Sequence, residues 1–240
     1  GASITYINKS EFTFGRSLNL GTEFSTGEII VYISGHCIPT STSWIDNLTK
    51  PIRNKISGYT YGRQIGRDTT KFSEEMLFHK YYPEISKIPQ QDFFCNNANS
   101  AVDRIVWEKY KFDENLTGLE DLYLAKEYVN DGGKVSYVSD ATVFHIHDEK
   151  WSQTKNRYER EAIALQEIMP EVQITFIDMM RYFFAAIFGD FSIAISEGRF
   201  RKEVVGILSF RLAQYWGTYK GNHELRALSK KKKDSYFYPH

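Results

Sequence analysis

Cysteine is scarce in this chain: Cys37 and Cys95 are the only two, with no metal-type spacing between them, which argues against a disulfide framework and fits a reducing compartment. Net charge is absent as well, because thirty basic and thirty acidic residues cancel, so no global field recruits nucleic acid or an anionic surface. No secretory leader, internal repeat or low-complexity tract is visible. The most apolar stretch, 174–195, is interrupted by Asp178, Arg181 and Asp190, which argues against a transmembrane span. What is plentiful is aromatic. The 16 Tyr and 17 Phe suit a large core or surfaces on which sugars stack, with core packing the plainer use.

The apolar pattern then orders the chain. A helix is expected over 15–25, running into Gly27, and the continuous run Glu28-Ile29-Ile30-Val31-Tyr32-Ile33-Ser34 reads as a buried parallel strand. Gly35 and Pro39 force a turn, and Ser43 opens a helix at Trp44. Further strands are expected at 58–64, 92–97 and 134–138, with helices at 101–110 and 120–130. The opening Ala2-Ser3-Ile4-Thr5-Tyr6-Ile7 reads as a strand already under way. These alternations give an α/β class. Beyond Pro170 two helices are expected, broken near Gly189-Asp190 and again at Gly198, and the chain closes on Lys230-Lys231-Lys232-Lys233. The expected organisation is a catalytic domain over 1–170 and a helical extension with a basic tail over 171–240.

Chemistry concentrates in Phe112-Asp113-Glu114-Asn115-Leu116-Thr117-Gly118-Leu119-Glu120-Asp121-Leu122. There, paired carboxylates follow a glycine-containing turn and open a helix. A helix N-terminus favours the ionised carboxylate that a general base needs, although helix capping alone would use the same residues. Three histidines stand in ordered segments: His36 directly after the apolar strand, then His145 and His147 in Ala141-Thr142-Val143-Phe144-His145-Ile146-His147.

Taken in order, the strand after Gly27-Glu28, the Glu120-Asp121 pair and the Val143-to-His147 segment resemble the family 2 glycosyltransferases, above all the branch that builds bacterial surface polysaccharides. The resemblance implies a glycosyltransferase A-type fold, a mixed sheet flanked by helices with a helical C-terminal extension. It also implies inverting transfer of a hexose or deoxyhexose from a nucleotide-diphosphate donor to a hydroxyl of a glycan or lipid-linked acceptor. Asp121 becomes the base with Glu120 beside it. Ser34 and Gly35 lie at the diphosphate, Arg16 and Asn19 near the nucleotide, and Arg157 and Arg160, which share a helix face, are candidates to stabilise the leaving group. Arg63, Gln64, Asn97 and Asn99 lie in stretches that resemble those flanking the acceptor pocket.

Two departures bear on the reading. The family's Asp-x-Asp motif is represented by Ser34-Gly35-His36. That leaves His36, His145 and His147 as a nitrogen-rich set for a divalent ion, manganese or magnesium, with no metal as the alternative. The opening residues resemble the stretch that comes after the family's nucleobase-binding strand and helix, so that portion is expected upstream of Gly1. A metal-dependent hydrolase built on the histidines, or a carbohydrate-binding domain without catalysis, are the rival functions. A cytoplasmic location is expected, with peripheral contact at the inner face of the membrane and no nucleic-acid partner.

Overall fold

The computed structural model describes residues 3–223 and Tyr236, and the lysine run at 230–233 lies outside them. Contacts divide the chain into two compact units, Gly1–Ile65 with Tyr82–His145, and Gly66–Tyr81 with Ile146–His240.

The first unit carries α1 (Phe14–Glu23), β1 (Ile29–Ile33), β2 (Cys37–Pro39), α2 (Trp44–Arg53), β3 (Tyr59–Ile65), β4 (Asn99–Asp103), α4 (Arg104–Tyr110), α5 (Glu120–Asn130) and β5 (Val135–His145); α3 (Phe72–Tyr81) belongs to the second unit. One five-stranded sheet runs in the order β1-β4-β3-β5-β2, and only the β3–β5 pair is parallel. A mixed sheet flanked by helices is the expected class, but β1 departs from the expected parallel strand. It is an edge strand and pairs antiparallel with β4 alone. An apolar run reports burial and carries no information about strand direction, which depends on the partner.

Two neighbouring elements also differ from expectation. Residues 92–97 form no strand. The Asp92 carboxylate accepts the Phe94 N–H at 2.9 Å while the Gln90 amide donates to the carbonyls of Asp92 and Phe94, so local side-chain bonds replace a ladder. The expected helix 101–110 is split, because Asn99–Asp103 lies between β1 and β3 with Ala101 and Val102 fully buried. The Asp103 side chain accepts the Ile105 N–H at 2.9 Å and starts α4 at Arg104. Residues 3–7, expected as a strand, form none.

Helix α2 shows how the sheet is covered. Trp44, Leu48 and Ile52, four apart, present one face that packs on Ala101, Val138, Ala141 and Val143. Between Gly62 and Gln64 the parallel register with β5 slips, from Val138 to Val143, so β5 bulges there. A Cβ at Gly62 would lie 2.2 Å from the Ala141 carbonyl and 2.3 Å from the Asn99 amide, so glycine permits this close approach. Past the bulge, β5 pairs with β2 and sets His145 opposite Cys37.

The second unit holds α3, α6 (Trp151–Ile168), α7 (Phe176–Ser196) and α8 (Phe200–Asn222). Glycines allow α8 to approach α6, since a Cβ at Gly217 or Gly221 would lie 2.4 Å from the Lys155 carbonyl or 2.2 Å from that of Glu159. Helix α7 passes unbroken through Gly189-Asp190, against expectation, and the chain turns only at Gly198, with φ +69°. Tertiary charge pairing explains the continuity. Asp190 is buried and bidentate with Arg211 of α8, both bonds 2.7 Å, and accepts the Ser73 hydroxyl at 2.6 Å. A residue that reads as a helix break in sequence is the pin that joins α3, α7 and α8.

Candidate active site

Within the first unit, Asp121, His36 and His145 are each tied to a short irregular segment, Asn96-Asn97-Ala98, that precedes β4. Asp121 lies in the first turn of α5, 7% exposed. Its Oδ2 accepts the Asn97 backbone N–H and its Oδ1 that of Leu122, both at 2.7 Å. Backbone N–H donors stabilise negative charge on a carboxylate oxygen, and a helix start provides them. The turn that aims this helix start is strained, since Leu119 sits at φ +59° in the left-handed region, where a branched side chain is costly. Glu120, beside it, is also buried.

Asn97 is itself held on two sides. Its side-chain oxygen accepts the Tyr59 hydroxyl at 2.6 Å and the Ser100 hydroxyl at 2.7 Å. Its buried Nδ2 has no partner among the described residues. Burial, then the negative charges of its surroundings including Asp121, push the Tyr59 hydroxyl and the Cys95 thiol well above their ordinary ranges. The Tyr59 hydroxyl and Cys95 thiol beside Asp121 therefore stay protonated.

Ala98 and Asn96 serve the other half. The Ala98 carbonyl accepts the Ser34 N–H at 3.1 Å and ties the loop after β1 to this segment. His36 lies in that loop, with its Nε2 2.9 Å from the His145 Nε2 and the two rings stacked 4.8 Å apart. Gln64 reaches the His145 Nδ1 with Oε1 at 2.5 Å and gives its Nε2 to Asn96 Oδ1 at 2.9 Å. A nitrogen pair of this kind, flanked by the Ser34 hydroxyl, fits a cation that accepts imidazole, such as manganese or zinc, better than magnesium, which prefers oxygen.

The remaining expected site residues have these settings. Asn19 is buried, with its amide donating to the Phe112 carbonyl and Glu114 and accepting from Phe112 N–H and the Trp107 indole; it pins the segment leading to Asp121. Arg16 pairs at the surface with Glu114 at 3.4 Å. Asn99 is fully buried and joins the Trp44 indole to the carbonyls of Arg63 and Ala141. Arg63 pairs with Glu84 at 3.0 Å, and its buried Nε has no partner among the described residues. In the second unit His147 bonds Glu74 at 2.7 Å, and Arg157 bridges Glu74 and Glu149. Burial works against the Glu74 charge, yet His147 and Arg157 hold its carboxyl below the usual range. Arg160 lies three residues further on α6, half-buried. Tyr59, Asn96 and Ser100, which support the site, were not among the expected site residues; Asn96 and Ser100 lie in the stretch that resembles one flanking the acceptor pocket, yet their value arises only from what they face.

No family model matches this chain. A curated relative, the O-antigen chain rhamnosyltransferase RfbN of Salmonella typhimurium (strain LT2), is 24% identical over 159 residues, 61% of this chain and 50% of the relative. The chain thus spans half the length of that relative. A solved structure, the mannosyltransferase PcManGT from Pyrobaculum calidifontis in complex with GDP-Man and Mn2+, matches 87% of this chain and 63% of its own, with TM-score 0.53 and 11% identity. The structural likeness gives the fold, a mixed sheet flanked by helices with a helical C-terminal region. The curated relative bears out the resemblance to glycosyltransferases of bacterial surface polysaccharides.

Proposed function

We propose that this chain is a glycosyltransferase of the surface-polysaccharide type that moves a sugar, with inversion, from a nucleotide-diphosphate donor to a hydroxyl of a glycan or lipid-linked acceptor. The observation that carries the reading is the placement of Asp121: buried, held through both oxygens by backbone N–H groups, and joined by Asn97 and Ala98 to the loop that presents His36. Asp121 takes the proton of the acceptor hydroxyl as that oxygen attacks the anomeric carbon from the face opposite the diphosphate, and a single displacement inverts the centre. General-base assistance of this kind contributes about 10²- to 10⁴-fold.

Charge on the departing diphosphate requires a separate stabiliser. His36 and His145 would hold a divalent cation through nitrogen, and that cation would neutralise the leaving group. The assignment of His147 to the same task, of Arg16, Asn19, Ser34 and Gly35 to the donor, and of Arg63, Gln64, Asn97 and Asn99 to the acceptor side rests on motif order in the sequence, and that of Arg157 and Arg160 on their nearness in sequence and shared helix face.

A cytoplasmic enzyme at the inner membrane face also belongs to this proposal. Its support is the second unit's exposed apolar surface: Ile177, Phe184, Phe188 and Ile195 on α7, with Val205, Leu208, Leu212 and Trp216 on α8. Among the described residues α7 alone is long and apolar enough to cross a membrane, by length and composition.

The test is product analysis with a panel of nucleotide-diphosphate sugars. Release of nucleoside diphosphate that requires acceptor, with inverted anomeric configuration in the product, supports transfer. Acceptor-independent release points to the hydrolase built on the histidines, and carbohydrate binding without release points to the non-catalytic domain.

A further inference from the structure

The hydrogen bonds around His145 have a direction that can be traced from a fixed end. The Ala98 backbone N–H, which can only donate, points at the Asn96 side chain at 3.1 Å, so the atom it meets is the amide oxygen, Oδ1. Gln64 approaches that same oxygen at 2.9 Å and must do so with its Nε2 hydrogens. Its other end, Oε1, then faces His145 Nδ1 at 2.5 Å. An amide oxygen has no proton to give, so the proton lies on Nδ1. A neutral imidazole carries one N–H. The His145 Nε2 therefore presents its lone pair, and this is the atom 2.9 Å from His36 Nε2. Gln64 is 1% exposed, and turning its amide over would set oxygen against oxygen at Asn96.

His36 is supported differently. The Ser34 hydroxyl lies 3.1 Å from its Nδ1 and 3.3 Å from its Nε2, nearer the nitrogen that His145 does not face, and a hydroxyl donates or accepts as required. With no cation bound, His36 carries its proton on Nε2 and donates it to the His145 lone pair, while Ser34 donates to Nδ1. A cation that takes both Nε2 lone pairs needs the His36 proton on Nδ1 instead, with Ser34 turned to accept it. The proton is exchanged through solvent from one nitrogen of the ring to the other, and none is gained or lost.

We propose that Gln64 and Asn96 are positioning residues that lock His145 as the Nδ1–H tautomer, a permanent nitrogen donor, whereas Ser34 makes His36 the switchable half of the pair. Gln64 acts from beneath the imidazoles, through His145. The inference rests on the reading of His36 and His145 as cation donors only for the switch; the lock is a property of the cation-free protein. Partners of ligating imidazoles that set their tautomer commonly contribute 10- to 100-fold to metal affinity.

Imidazole ¹⁵N chemical shifts, recorded at one fixed pH on the labelled full chain with Zn²⁺ alone as diamagnetic probe, test both parts. In the cation-free wild type His145 is expected as Nδ1–H and His36 as Nε2–H; Zn²⁺ moves His36 to Nδ1–H and leaves the His145 tautomer unchanged. Gln64→Leu and Asn96→Leu both release the His145 tautomer and weaken Zn²⁺ binding about 10- to 100-fold. Asn96→Asp, whose carboxylate still accepts from Ala98 and Gln64, restores the lock. Ser34→Ala leaves His145 unaffected. A wild-type His145 in the Nε2–H form overturns the proposal without recourse to any variant. So does Asn96→Leu with the His145 tautomer intact, because Gln64 would then act by filling space. If His145 is locked but Zn²⁺ shifts neither ring, the switch fails together with the cation reading and the lock stands alone.

Discussion

Asn97 donates its backbone N–H to Asp121 Oδ2 across 2.7 Å, while the side chain of the same residue is gripped by the Tyr59 and Ser100 hydroxyls. The proposed base is thus positioned by a backbone group whose own place is set by the sheet, since Tyr59 is in β3 and Ser100 in β4. Asp121→Asn keeps the shape but cannot take a proton. Transfer should fall by about 10²- to 10⁴-fold, with thermal unfolding and donor affinity close to wild type. Turnover within tenfold of wild type, measured as nucleoside diphosphate release, would reject Asp121 as the base.

Tyr59→Phe removes one grip on Asn97 and leaves the Ser100 bond. A stability loss of about 1 kcal/mol is expected, with a fall in kcat larger than any change in donor KM, since Asn97 orients the base. Urea unfolding and steady-state kinetics on the same preparation check this, and an unchanged kcat would separate Tyr59 from the site.

Alkaline pH should weaken the fold. Burial raises the Tyr32 hydroxyl from 10.0 to about 12, and burial with neighbouring negative charge raises that of Tyr59 well above its ordinary range. The unfolded chain loses these protons above pH 10, whereas the folded chain keeps them. Stability is therefore fully present below pH 10 and declines as pH rises from 10 towards 12, by about 1.4 kcal/mol per pH unit for each such group. Urea midpoints at pH 8 and pH 11 should differ accordingly, and Tyr32→Phe should reduce the difference.

His36→Ala should weaken divalent-cation dependence and donor affinity while leaving stability nearly unchanged, because the ring lies in an exposed loop rather than in the core. Metal titration of activity together with donor binding decides the point. If both are unaltered, His36 has no part in the site.

Asp190→Ala leaves Arg211 buried without its bidentate partner and should cost about 3–5 kcal/mol, whereas replacing both residues with leucine should cost less. Equilibrium unfolding of the three proteins measures the difference. For the membrane reading, Phe184→Ser with Phe188→Ser should reduce co-sedimentation with anionic liposomes, and a form ending at Ser229 should reduce its salt sensitivity. No sedimentation of the intact chain would remove the membrane contact.

What the sequence determined by itself was local. Helix α5 begins and ends where the carboxylate pair and the apolar period put it, β1 stands where its apolar run lies, and β3 falls within a residue of the expected 58–64, because burial and period are properties of neighbouring residues. The glycosyltransferase resemblance was legible for the same reason, and the proposed base and histidines could be singled out with it: each occupies a short ordered motif. Partner-dependent features were decided only by the tertiary structure. The antiparallel pairing of β1, the strand at 101–103 where a helix was expected, and the continuity of α7 through Asp190 all depend on residues far away in the chain. Gln64 is the sharpest case. Its sequence neighbourhood resembles a stretch that flanks the acceptor pocket in the family, yet its amide lies between Asn96 and His145, 32 and 81 positions away. A hydrogen bond has a direction and a partner, and neither is written in the residues on either side of it.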